Sequence, residues 1–278
     1  MTFTAKICGL TIGDKHPPHV MGILNLSPES FYKGSVRDSS SVLEFAQKMI
    51  DDGATILDVG ARSTSPWAEP ISVEEEKSRL FSALKELSGN VSVPISADTM
   101  YADVAQGALN CGAEMINDVS SLKTDPNMGK VIADHNACVV LMATREVPGD
   151  PLGMDAVLSS LSNAVSDAER FGIDPRKIIL DPAIGQWIPT KTAGYDFDVI
   201  NRFEKLSVFE MPILVAVSRK SFLDTVVCKP AEGRLISSLT AASIAAYKGG
   251  HIIRTHDVLE TAEALKVIYA IRNQAELD

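Results

Sequence analysis

Short apolar runs alternate with amphipathic segments along the whole of this chain, and that rhythm restricts the fold more than any single motif. The runs cover residues 20–26, 56–60, 93–97, 114–119, 137–142, 178–180, 213–217 and 251–254, eight in all. They are too continuously apolar for half-exposed strands and read as parallel strands buried on both faces. Segments 41–52, 73–87 and 234–246 between them carry helical periodicity. Ser72 with Glu75 fits a capping box at the start of the second helix. Gly112 and the pair Gly249-Gly250 fit helix ends, where glycine takes the left-handed conformation at little cost. Strand-then-helix alternation builds a parallel sheet, and eight units within 278 residues predict an α/β fold, one (β/α)8 TIM barrel with outer helices. No Pro/Ser-rich linker divides the chain, so residues 1–278 read as one domain. Residues 1–19 precede the first strand and are expected to form a short hairpin covering the barrel floor.

A net charge of −10 argues against a nucleic-acid partner, although a local basic cluster can still dominate an anion pocket. No apolar run approaches the roughly 20 residues of a membrane span, and Met1-Thr2-Phe3-Thr4-Ala5-Lys6 has no secretory pattern. A cytoplasmic protein with no membrane partner is expected. Cys8, Cys111, Cys138 and Cys228 are scattered without a CxxC pair, which suits buried thiols in a reducing compartment better than zinc or disulfides.

In a parallel barrel the carboxyl ends of the strands converge on one mouth, and chemistry gathers there. The successive strand ends deliver Asn25, Asp58, Asp98, Asn117 with Asp118, Met142, Asp181, Lys220 with Ser221, and Arg254 with His256. Carboxylates accept from ring N–H and exocyclic amino groups, an amide donates and accepts at once, and a lysine donates. Asp98, Asn117, Asp181 and Lys220 therefore suit a flat, nitrogen-rich heterocycle. Arg254 offers a planar face for stacking and charge for phosphate. Asn25 and His256 suit a diphosphate and its divalent cation, since Mg²⁺ takes few protein oxygens besides those of the phosphates.

Each residue also has a plainer reading. An aspartate after a strand is usually a cap or turn residue, and Asp58, Asp103 and Asp118 taken singly are better read so. Asn25-Leu26-Ser27-Pro28 fits a simple turn, Arg254 a barrel ion pair and Lys220 a loop cap. It is the joint placement at equivalent points of different strands that favours a site. Met115 and Cys138 lie within strands and read as core. His16, His19 and His135 have no acidic or cysteine neighbours at ligand spacing, and His251 opens a strand at the opposite end of the barrel. Trp67 and Trp187 fall in mouth loops, as a lid over ligand or as anchors between loops.

Met21-Gly22-Ile23-Leu24-Asn25-Leu26-Ser27-Pro28-Glu29-Ser30-Phe31 resembles the opening signature of dihydropteroate synthases. Later blocks of that family are matched in order by Asp58-Val59-Gly60, Ser96-Ala97-Asp98-Thr99, Ile116-Asn117-Asp118-Val119-Ser120 and Asp181-Pro182-Ala183-Ile184-Gly185. Ser218-Arg219-Lys220-Ser221-Phe222 and Arg254-Thr255-His256-Asp257-Val258 complete the set. The resemblance implies a (β/α)8 barrel that joins a dihydropterin-methyl diphosphate to p-aminobenzoate with Mg²⁺ and releases diphosphate. It implies that Asp98, Asn117, Met142, Asp181, Lys220 and Arg254 hold the pterin. Asn25, Arg254 and His256 would hold diphosphate, Asn25 also the metal, and Thr64 and Ser221 would meet the aminobenzoate. Lys220, Arg254 and Asp98 would carry the catalysis, and a homodimer through the last helices is implied by analogy.

The departures cluster in the mouth loops. Tyr32-Lys33-Gly34 stands where the family has Ser-Asp-Gly, and Arg62-Ser63-Thr64-Ser65-Pro66-Trp67 where it has Glu-Ser-Thr-Arg-Pro-Gly, so Arg62 is a candidate to replace the missing arginine. Met142-Ala143 replaces Met-His, and Gln186-Trp187-Ile188 replaces Phe-Gly-Lys. An intact pterin floor under rewritten loops leaves three readings: a synthase with p-aminobenzoate or a derivative of it, a pterin-dependent methyltransferase, or a non-catalytic pterin-binding protein.

Overall fold

The computed structural model describes residues 3–26, 40–62 and 71–273. Eight parallel strands run β3 (His19–Asn25), β4 (Ile56–Gly60), β5 (Ile95–Asp98), β6 (Met115–Asp118), β7 (Cys138–Met142), β8 (Ile178–Asp181), β9 (Leu214–Ala216) and β10 (Ile252–Thr255). Their order in space is β8-β7-β6-β5-β4-β3-β10-β9. A parallel bridge between Leu180 and Ile213, with the Leu180 N–H donating to the Pro212 carbonyl at 2.9 Å, brings the two ends together into a nearly closed barrel. The strand expected over 93–97 begins only at Ile95. Pro94 has no N–H for the ladder, though its carbonyl still accepts from Leu57 N at 3.1 Å.

The helices are α1 (Ser40–Asp51), α2 (Val73–Leu87), α3 (Ala102–Asn110), α4 (Met128–Asp134), α5 (Met154–Arg170), α6 (Ala193–Asn201), α7 (Asp224–Val227), α8 (Leu235–Tyr247) and α9 (Val258–Asn273). In α2 the Ser72 hydroxyl caps Glu75 N at 3.1 Å, but the Glu75 carboxylate pairs with Arg79 and does not return to the cap. Leu80, Leu84 and Leu87 form the buried stripe of α2, each side chain contributing about 1.5–3 kcal/mol relative to exposure.

Alternation along the strands divides the core in two. Outward residues such as Leu57, Val59, Ala97, Ile116, Val139, Leu141 and Val215 pack with the helices. Inward residues Met21, Ile56, Met115, Val140, Ile179, Leu214 and Ile252 form a separate cluster inside the barrel, joined by Ile7 and Ile12. Those two isoleucines come from an antiparallel hairpin of β1 (Thr4–Ile7) and β2 (Leu10–Gly13) that stops the lower end. Cys138 belongs to this cluster and Met115 is fully buried in it, as expected of core residues. His251 is structural too: its Nδ1 accepts from Ile213 N at 3.1 Å and its Nε2 lies 3.4 Å from Asp14.

Candidate active site

Side chains point to the same face every second residue along a strand. Asp58, Asn117, Asp181 and Arg254 each lie two places beyond an inward apolar residue, namely Ile56, Met115, Ile179 and Ile252. Parity therefore aims all four at the barrel axis, one layer above the apolar floor. Register sets their neighbours: Asp98 is the Cα partner of Asn117 and of Gly60, and Asp181 of Met142. Gly60 allows a close approach, since a methyl group there would lie 3.3 Å from Asp98 Cβ and 3.7 Å from Asn25 Oδ1.

Arg254 is the hub. Its Nε donates to Asp58 Oδ2 at 2.6 Å and its Nη2 to Asp98 Oδ2 at 2.9 Å, while Asn117 Nδ2 donates to the same Asp58 oxygen at 3.1 Å. Asp58, read singly as a turn residue, is thus part of the site. It is completely buried and Asp98 nearly so. Among the described residues, Asp58 Oδ1 and Asp98 Oδ1 have no hydrogen-bond partner. Buried oxygens are rarely left unpaired without a use. Burial raises the Asp98 carboxyl to about 8, helped by the Asp58 charge and opposed by Arg254.

That shift carries a stability consequence. Between its ordinary 3.8 and about 8, folded Asp98 holds a proton that the unfolded chain has released, so folding loses stability as pH rises through that window. Asp98→Asn keeps an acceptor for Arg254 and removes the penalty. Its stability relative to wild type is expected to grow from pH 4 to pH 8, reaching about 1–3 kcal/mol at pH 8. Urea unfolding across that range measures this, and a difference that does not change with pH would contradict it.

Asp181 and Lys220 form the opposite wall. Asp181 Oδ1 accepts from Ala183 N at 2.7 Å, and burial raises its pKa against the pull of Lys220. Lys220 Nζ donates to the Ile184 carbonyl, and burial lowers its pKa to about 8 although Asp181 and Asp196 oppose this. The Lys220 ammonium also lies over the Trp187 ring, 5.1 Å from its centroid, and that ring packs on Gly149, where a methyl group would meet Trp187 Cγ at 2.2 Å. Trp187 is therefore an anchor between loops, of the two roles open to it. Arg219 sets the direction of Lys220 from a left-handed backbone (φ 58°), with its guanidinium on Asp257 and its N–H on Ser238 Oγ at 2.8 Å.

The other expected residues sit around this pair of walls. Met142 is fully buried beside Asp181. Asn25 ends β3, half-buried. His256 is exposed, its Nδ1 3.2 Å from Ser218 Oγ. Ser221 opens a short 3₁₀ turn and is exposed. Thr64, Lys33, Ser65 and Trp67 lie outside the described residues. Arg62 is committed elsewhere: its Nε donates to buried Glu76 at 2.7 Å and its guanidinium covers the Tyr101 ring. Asp118 braces its own turn through Ser120 and Leu122, and Asp103 makes an exposed pair with Lys77, so both keep the structural reading.

The family described as pterin binding enzyme matches residues 21–256. The dihydropteroate synthase of Bacillus subtilis is 40% identical over 256 residues, covering 92% of this chain and 89% of that protein. The chain belongs to the dihydropteroate synthase family. A solved dihydropteroate synthase from Coxiella burnetii, in complex with pteroic acid, superposes with a TM-score of 0.86 at 32% identity, covering 98% of this chain and 100% of that one. One from Xanthomonas albilineans with 4-aminobenzoic acid gives 0.86 at 30% identity, covering 98% and 99%. The barrel shared with these solved structures is thus present here along nearly its full length.

Two features of this site lay beyond sequence reasoning. Lys191 and Asp196 form a buried pair under the loop after β8, with Nζ 3.3 Å from Oδ1. Glu76 of α2 is a buried carboxylate held by Arg62 and by Thr99 Oγ1 at 2.6 Å. Lysine and glutamate in polar segments read as surface residues. Only the unusual loop around Gln186-Trp187-Ile188 hinted at the first.

Proposed function

We propose that this chain is a dihydropteroate-synthase-like transferase of folate biosynthesis that condenses a dihydropterin-methyl diphosphate with p-aminobenzoate or a derivative of it. The observation that carries this reading is the pair of oxygens on Asp58 and Asp98 that have no partner among the described residues, on strands across the barrel from those that carry Asp181 and Lys220. A pterin edge supplies the N–H donors those oxygens lack, and Lys220 supplies a donor for the ring carbonyl or a ring nitrogen. Asp98, Asn117, Met142, Asp181, Lys220 and Arg254 hold the ring.

The bond between the pterin methylene carbon and its diphosphate oxygen breaks first, with both electrons leaving on oxygen. The resulting cation is delocalised over the pterin. Asp58 and Asp181 line the slot with carboxyl groups that favour this positive charge, and the developing cation draws Asp98 toward its ionised form. The aromatic amine then forms the new C–N bond and gives up one proton to solvent. Arg254 and His256 hold the departing diphosphate. Among the described residues no group of three or more His, Cys, Asp or Glu could hold a metal ion. The single amide oxygen of Asn25 therefore fits a cation that arrives with the diphosphate, not a resident one. The chemistry Mg²⁺ supplies when bound is neutralisation of charge on the leaving group.

A coupled assay of diphosphate release with p-aminobenzoate, and in parallel with a phosphoribosylated aminobenzoate, tests the reaction and the second substrate together. No diphosphate release with either amine would refute it. Chelating Mg²⁺ is expected to weaken binding of the pterin diphosphate by at least about tenfold and to leave the bare pterin unchanged. Calorimetric titration of both ligands measures the difference; equal weakening of the two would remove Asn25 from the metal role.

The chain pairs with a second copy through α8 and α9. Ile236, Ile244 and Tyr247 of α8 and Leu259, Val267 and Ile271 of α9 are exposed on these two neighbouring helices, Ile236 at 74%. An exposed apolar face of this kind marks an interface. Val267→Glu with Ile271→Glu should convert a dimer to a monomer in light scattering; an unchanged mass would place the contact elsewhere. The four cysteines are all free thiols, in keeping with a cytoplasmic setting. No helix among the described residues is long and apolar enough to cross a membrane.

A further inference from the structure

The loop after β8 makes an unusual turn. Ala183 is left-handed (φ 57°), a conformation that costs a residue with a side chain roughly 1–2 kcal/mol. Gly185 follows at φ 128°, and a methyl group there would lie 2.8 Å from Lys220 Cδ. Each peptide of this turn is tied to a different group. Ala183 N donates to Asp181 Oδ1 at 2.7 Å. The Ile184 carbonyl takes Lys220 Nζ. Gly185 N donates to Asp196 Oδ1 at 2.8 Å. The Ala183 carbonyl is claimed from beneath by Lys191 Nζ at 2.6 Å.

Lys191 is completely buried. Its ammonium also lies 3.5 Å from the Gly149 carbonyl, in the loop after β7, and 3.3 Å from Asp196 of α6. A fully buried lysine is rare and requires hydrogen-bond partners for its charge. Here the partners are two loop carbonyls and one carboxylate, so the charge binds the loops after β7 and β8 to α6. The Asp181 and Lys220 contacts both hang on the turn so fixed.

We infer that Lys191 is a positioning residue for the pterin slot: by holding the Ala183 carbonyl it keeps the strained turn that orients Asp181 and Lys220. This rests on the functional reading above. Without the ammonium, the Ala183 carbonyl becomes a buried acceptor with no donor, which costs a folded protein free energy. The turn then relaxes toward an ordinary backbone, drawing Ala183 N from Asp181 and the Ile184 carbonyl from Lys220. Strain held at a site by its surroundings behaves in this way. The rival role for Lys191 is neutralisation of Asp196 alone.

Two variants separate these roles. Lys191→Met removes the donor and leaves Asp196 buried alone. Lys191→Met with Asp196→Asn removes both charges and keeps an amide oxygen as the acceptor for Gly185 N, so only the Lys191 tie to the turn is lost. Circular dichroism and thermal unfolding report folding, calorimetry reports binding of a dihydropterin, and steady-state kinetics report KM for each substrate. In the folded double variant, dihydropterin affinity should fall and KM for the pterin diphosphate rise by about tenfold or more, the scale of losing an outer-shell support. KM for the aminobenzoate should change by less than about twofold. A folded double variant that binds dihydropterin as tightly as wild type overturns the inference, and so does failure of both variants to fold, which would make Lys191 a folding residue. Wild-type protein that binds no dihydropterin would instead refute the functional reading.

Discussion

Arg254→Met should lower folding stability by about 3–5 kcal/mol and reduce turnover by on the order of a hundredfold or more. The guanidinium is the only cation bonded to Asp58 and to Asp98 among the described residues, and it reaches both at under 3 Å, 2.6 and 2.9 Å. Truncating it leaves two buried carboxyl groups facing each other without compensation. Adding Asp98→Asn to the same chain should recover part of the stability, because the cost of burying that carboxyl group, which Arg254 had opposed, goes with it, and none of the activity. Denaturant unfolding of the single and double variants, with diphosphate release measured on each, decides this. If the single variant unfolds like wild type, the Arg254 hub contributes nothing to the fold and the electrostatic account of the site fails.

Asp181→Ala should weaken dihydropterin binding by about 2–4 kcal/mol, the scale of losing a buried charged hydrogen-bond partner. The carboxylate is nearly buried and lies in the Lys220 field, so water replaces it poorly. Because Asp181 also accepts from Ala183 N, Asp181→Asn is the informative companion: it keeps an acceptor for that N–H and loses the charge. An intermediate loss for Asn would apportion the effect between ligand contact and loop support. Unchanged binding in the alanine variant would remove Asp181 from the slot.

The barrel was legible in the sequence because its strands are buried on both faces. Continuous apolar runs such as Ile56-Leu57 and Val139-Val140-Leu141 fit few arrangements besides a covered parallel sheet, and a polar residue closing such a run stands out. Asp98, Asn117, Asp181 and Arg254 were found in this way, and the structure places them around one axis. Asp58 was harder, because an aspartate after a strand is usually a cap; its bond to Arg254 spans 196 residues of sequence, and no local signal encodes it. Arg62 shows the opposite failure. Its charge suggested a replacement for an absent arginine, yet it is spent on Glu76, fourteen residues further along the chain, a partner that helical periodicity alone does not single out. Lys191 has the same character: its burial arises from three segments closing over it, a property of the assembled loops and not of the residues beside it.

The hairpin beneath the barrel has a kinetic corollary. With Ile7 and Ile12 sealing the lower end, the barrel is a cul-de-sac, and its guests queue at one door. On the functional reading proposed above, the pterin binds deepest and has to be seated before the aromatic amine settles above it, and an amine that arrives early bars the way. Initial rates should then follow an ordered sequence, and excess aminobenzoate should inhibit in competition with the pterin diphosphate.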